Sequence, residues 1–175
     1  PTTNRWGMDR QNHFSIWHEN AGLIIGGGNS KDQPEWSNFV VNEGGRQFYI
    51  AREGKIEKDK GGDALKLLYG NTNCTIRLQV KDDQEMLIEY LTKAPKENPV
   101  RYNLILHTTP GAKLKTAAGL ETELSDEKVE LSPKEIGDWI SHGKWILEVP
   151  EEANLSWPVQ PFNPYKKDGT APLSS

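Results

Sequence analysis

A chain of 175 residues is the size of one domain and should bury roughly 70% of the surface its unfolded form exposes. Apolar residues make up 35% and charged residues 26%, but six Trp, five Tyr and four Phe are too many for a disordered chain. The formal net charge of -4, from 25 acidic and 21 basic residues of mixed order, argues against the basic face that nucleic acids and anionic membranes require.

In chain order, the first readable element is Phe14-Ser15-Ile16-Trp17-His18, a period-two run of the kind that forms a half-buried strand. Leu23 to Gly26 is its expected hairpin partner, joined through Glu19-Asn20-Ala21-Gly22 with Gly22 supplying a positive φ. Further strands are expected at 37–41, 46–52, 64–69, 73–81, 84–92, 101–107, 112–116, 126–131 and 144–149. Their spacing of about ten residues predicts an all-β fold, an antiparallel β-sandwich of about ten strands.

Cys74, Ile76, Leu78 and Val80 share one face of their run, and Asp82-Asp83 turns the chain into Met86 to Leu91, which makes a β-meander. Ser132-Pro133-Lys134-Glu135 has a Ser N-cap, Pro at the first helical position and Glu at the third, so at most one short helical turn is expected there. Pro158, Pro161 and Pro164 forbid a helix or central strand beyond Trp157. We therefore expect a single β-sandwich domain over 1–166 and a frayed, flexible tail over 167–175.

No apolar run approaches the roughly 20 residues that span a bilayer, the longest being Leu23-Ile24-Ile25. A lone cysteine, Cys74, excludes an internal disulfide and a multi-Cys zinc site, and its alternating context predicts a buried apolar thiol. The chain opens on Pro1 rather than Met, which leaves room for an upstream segment or domain.

Gly26-Gly27-Gly28-Asn29-Ser30-Lys31 fits neither the phosphate-binding loop nor the dinucleotide fingerprint. The Lys falls at the wrong distance, and no helix can open at the Asp32-Gln33-Pro34 that follows. Glycines there serve a strand kink or the close approach of a neighbouring backbone.

His13 and His18, five apart in a strand, point to opposite faces and cannot share a metal without a bulge between them. His18 with Glu19 is the one acid/base pair the sequence offers, a weak catalytic candidate because adjacent strand residues diverge. His107 and His142 have no spacing that unites them with a carboxylate. No metal site and no cofactor is expected.

The aromatics carry more. Six Trp exceed what a core already filled by Leu, Ile and Val needs, and Trp36 stands in the polar loop "NSKDQPEWSN". A sugar ring presents an apolar CH face edged by hydroxyls. A flat aromatic among short polar and charged side chains suits it, which makes Trp36, Asn29, Lys31 and Glu35 the candidate carbohydrate-binding residues. The plainer alternative is that Trp36 caps one end of the sandwich.

The hairpin "FSIWHENAGLIIGGGNSK", the antiparallel series after it and the closing "WILEVPEEANLSWPVQPFNPY" resemble the C-terminal β-sandwich portion of heparinase II/III-like proteins, polysaccharide-lyase relatives of bacteria. The resemblance implies a secreted or periplasmic protein. It also implies a sandwich that supports, or binds beside, a catalytic unit built on an N-terminal helical toroid that this chain lacks. The family's catalytic His and Tyr match no position here.

The expected function is a non-catalytic, carbohydrate-associated module with a polysaccharide or oligosaccharide partner. One alternative is a polysaccharide lyase acting on acidic glycans. Another is a structural domain docking on a partner or on a missing N-terminal domain.

Overall fold

The computed structural model describes residues 13–26, 34, 37–59, 61–109, 111–125 and 127–157; the predicted tail at 167–175 lies outside them. The fold is all-β and antiparallel, with fifteen strands and one four-residue helix among the described residues. They group into two compact units, one containing 37–105, the other joining 15–26 to 106–157.

The first unit is a small sandwich. One sheet has the order β5 (Glu53–Asp59), β6 (Gly62–Tyr69), β7 (Thr72–Val80), β8 (Met86–Thr92). The other has the order β4 (Arg46–Phe48), β3 (Phe39–Glu43), β9 (Val100–Tyr102). The β6–β7–β8 meander is the one the alternation predicts, and its inward residues Leu67, Tyr69, Cys74 and Ile76 meet Phe39 and Val41 of β3 in a closed core.

Phe39 is fully buried, with ring centroids 5.7 Å from Tyr69 and 5.3 Å from Tyr90, close enough for tilted aromatic packing to add to area burial. Cys74 is buried as predicted, and desolvation pushes its thiol up to about 11. Burial likewise raises the Tyr69 and Tyr90 hydroxyls far above the ordinary phenol range.

The expected strand 46–52 is shorter, ending as β4 at Phe48, and β5, which begins at Glu53, lies outside the predicted set. β5 reads Glu-Gly-Lys-Ile-Glu-Lys-Asp and has almost no apolar alternation to announce it. It exists because its backbone pairs with β6 residue for residue while its charges pair across the solvent face. Lys55 and Lys66 both bind Glu57 and draw its carboxyl down to about 2. On the same face the Arg77 guanidinium donates to Asp59 through Nε and Nη2, and to Glu89 through Nη1 at 2.7 Å.

The second unit has a four-stranded sheet in the order β11 (Glu121–Glu123), β10 (Lys113–Thr116), β13 (Trp139–His142), β14 (Trp145–Glu148). A ribbon of β12 (Val129–Leu131) with β15 (Leu155–Trp157) and the hairpin β1 (Ile16–His18) with β2 (Gly22–Ile25) complete it. Leu114, Leu124, Leu131, Ile136, Ile140 and Trp145 form the core, and Ala21 and Ile24 of the hairpin pack against it.

Helix α1 (Pro133–Ile136) starts where the sequence predicts. The Glu135 carboxylate accepts from the Ser132 hydroxyl at 2.6 Å and from its backbone N–H at 2.9 Å, and these bonds hold the acid below its ordinary range. Besides β5, the short strands β11, β13 and β15 lie outside the predicted set; at three or four residues each, they are too short for a period-two pattern to register.

Candidate functional site: the outward face of the first hairpin

The hairpin turn forms as its residues dictate. Gly22 sits at φ 75, a conformation that costs an L-residue about 1–2 kcal/mol. The Ala21 N–H donates to the His18 carbonyl at 3.2 Å, and the Asn20 N–H to His18 Nδ1 at 3.1 Å. That bond occupies the Nδ1 lone pair in holding the turn. Glu19 is exposed beside it.

Register then decides which side chains face water. Ile16 pairs with Ile25 but Trp17 pairs with Leu23, a one-residue shift that leaves Ile24 as the extra residue on β2. Such a bulge puts two neighbouring side chains on the same side. Ile24 accordingly packs on the core and Ile25 is buried, while Trp17 and Leu23 remain outside at 68% and 40% exposure. Of the described tryptophans, Trp145 is buried and Trp139 and Trp157 are half-buried, so Trp17 alone among them offers most of its surface to solvent.

The far end of β2 is fixed twice, by an antiparallel bridge between Ile25 and Leu106 and by the His107 N–H donating to the Ile24 carbonyl at 2.7 Å. At Gly26, the first glycine of the run, a Cβ would lie 2.2 Å from His107 Nε2. The group that lies closest to this glycine is a side-chain imidazole, and not the neighbouring backbone its context predicts.

His142 is also structural. Nε2 accepts the Thr109 N–H at 2.9 Å, which leaves the proton on Nδ1, 3.1 Å from the Lys113 carbonyl that accepts it. The ring also packs on Trp145. Both nitrogens are committed to backbone, and burial holds the imidazole below its ordinary pKa.

Trp36, Asn29, Lys31 and Glu35, the sugar-binding residues predicted from sequence, lie outside the described residues. His18 and Glu19 are adjacent at the hairpin turn. No protein-family model, curated protein or solved structure matches the chain.

Among the described residues no group of three or more His, Cys, Asp or Glu could hold a metal ion. A shallow groove beside α1 is lined by Glu130, Ser132, Glu135, Asn154 and Ser156, but its Glu135 carboxylate is taken up by Ser132. On the hairpin face an indole and a leucine stand outward, and Ser15, Glu19 and Asn20, a few positions away in the chain, are exposed. Sequence reasoning passed over Trp17 because an alternating strand would put it opposite Ile16 without saying which of the two faces the core.

Proposed function

We propose that this chain is a non-catalytic carbohydrate-associated β-module, part of or derived from a polysaccharide-degrading protein, that holds its ligand by stacking. The observation that supports this is the exposed Trp17 paired with Leu23 on a strand. An indole in that position leaves a rigid flat face to water, on which the CH face of a sugar ring can stack. Its polar neighbours match a ring that is apolar on its face and hydroxylated on its edge. Retention on a panel of immobilised polysaccharides tests the reading, with Trp17→Ala and Trp36→Ala as separate arms. Retention lost in either variant, with folding intact, supports it; a wild-type chain retained by nothing ends it.

A second reading, a structural domain that docks on a partner or a further domain, is favoured by a different observation. Ile56 and Val80 lie on the core-facing side of the β5–β8 sheet, yet are 74% and 65% exposed, and Met86, opposite Val80, is exposed as well. Val80→Glu with Ile56→Lys should then leave folding intact and abolish association with that partner.

A further inference from the structure

We infer that the hairpin face is built for an uncharged polysaccharide chain and rejects polyanionic glycans. The inference rests on the carbohydrate reading above and adds the charge of the ligand. Segments 15–26 and 106–157, the described part of the second unit, contain five lysines and no arginine against eleven Asp and Glu.

Three of those five lysines are already spent within the unit. Lys113 and Lys115 bind Glu121, and Lys128 binds Glu130. The hairpin itself, Ser15 to Gly26, has no Lys or Arg and one carboxylate, Glu19.

A uronate or sulfated chain approaching Trp17 would therefore meet Glu19, a charge of its own sign, without the Arg or Lys forks on the hairpin that carboxylates and sulfates need. Exposed charges more than about 8 Å apart are largely screened at physiological ionic strength, so the hairpin's own carboxylate carries this repulsion. An uncharged chain meets no such penalty. The CH face of one sugar ring can stack on the Trp17 indole while the apolar edge of the next reaches Leu23. Ser15, Asn20 and Glu19 supply hydroxyl, amide and carboxylate partners for ring hydroxyls. Glu19 then acts as a hydrogen-bond acceptor, which a neutral sugar accommodates and an acidic one does not.

Native affinity gels test the inference. They are cast with a neutral polysaccharide (xylan, mixed-linkage β-glucan or galactomannan) or with a polyanion (polygalacturonate, alginate or heparin), at low and high salt. The expected result is retardation in at least one neutral gel, changed by no more than about two-fold between low and about 0.5 M salt. None is expected in polyanion gels. Trp17→Ala should weaken retardation roughly ten-fold and Trp17→Phe less, since a smaller ring keeps part of the stack. Thermal melting of each variant confirms that the fold is intact.

Retardation by polyanions that fades with salt would overturn the inference while leaving the carbohydrate reading standing. Neutral binding untouched by Trp17→Ala would remove the hairpin as the site and would also overturn it. Retardation by no polysaccharide would overturn both.

Discussion

The two units solve the same packing problem with different surfaces. Residues 37–105 have eleven basic and ten acidic side chains, and much of that charge is locked into ion pairs across the open face of β5–β8. Segments 15–26 and 106–157 have five basic and eleven acidic side chains, and there an indole faces water on the hairpin. A balanced, cross-linked face is suited to staying a solvated outer surface. An acidic unit with an exposed aromatic is suited to selecting what touches it. On the proposed carbohydrate reading, the first unit would serve as scaffold and the second as the recognition element.

The largest effect that sharpens this division belongs to the core of the first unit. Phe39 is fully buried between sheets and touches Tyr69, Tyr90 and Tyr102. Phe39→Ala should cost about 3–5 kcal/mol, the range for removing a buried ring that its surroundings cannot fill. Chemical denaturation followed by circular dichroism measures it. Because the ligand face lies in the other unit, polysaccharide retention under native conditions should survive in whatever fraction remains folded. Loss of retention in proportion beyond the unfolded fraction would break the division into scaffold and recognition element.

A smaller effect, of opposite location, belongs to His142. Its folded-state pKa is lowered by burial, so the unfolded chain takes up the proton first. The stability this neutral imidazole contributes is present above its unfolded pKa of about 6.5 and is lost as pH falls below that value toward the folded one. Protonation also removes the Nε2 lone pair that receives the Thr109 N–H.

The lowered carboxyls, Glu43 and Glu57 in the first unit and Glu121 and Glu135 in the second, act in a separate window. Their contribution is complete above about pH 4.5 and is lost below it. A stability profile from pH 7 to 5 should therefore slope downward in the wild type. His142→Phe should flatten that slope and lower stability at pH 7 by about 1–3 kcal/mol, by leaving the Thr109 N–H without its acceptor. An unchanged slope in the variant would remove His142 as its origin.

How far the sequence discloses these features depends on the range over which each is encoded. The hairpin turn was legible because Gly22 lies within four residues of His18, and the meander because β6 to β8 alternate over seven to nine residues each. Helix α1 was legible through the Ser132–Glu135 spacing. β5 was not, since charges that pair across a sheet look like a loop when read along the chain.

Nor could spacing show that 15–26 groups with 106–157, because the Ile25–Leu106 bridge joins residues separated by nearly half the chain. The candidate site shows the same limit at closer range. That a tryptophan was in surplus could be counted; that it is Trp17 follows only from the one-residue shift opposite Ile24.

The smallest effect concerns the junction that holds the recognition hairpin in place. A Cβ on Gly26 would overlap the His107 imidazole, but the group it meets is the end of an exposed side chain, which can swing away. Gly26→Ala should therefore cost on the order of 1 kcal/mol, well short of what a clash with backbone would exact. The cost should largely vanish in the double variant Gly26→Ala with His107→Ala, since removing the ring opens the space the methyl needs. A double-mutant cycle by thermal melting reads the coupling directly, with an expected interaction of roughly 0.5–1 kcal/mol. Additive effects would mean that the glycine serves the backbone at the hairpin exit. Coupled ones would show that the imidazole seats the exit of β2, the strand that sets Leu23 opposite Trp17.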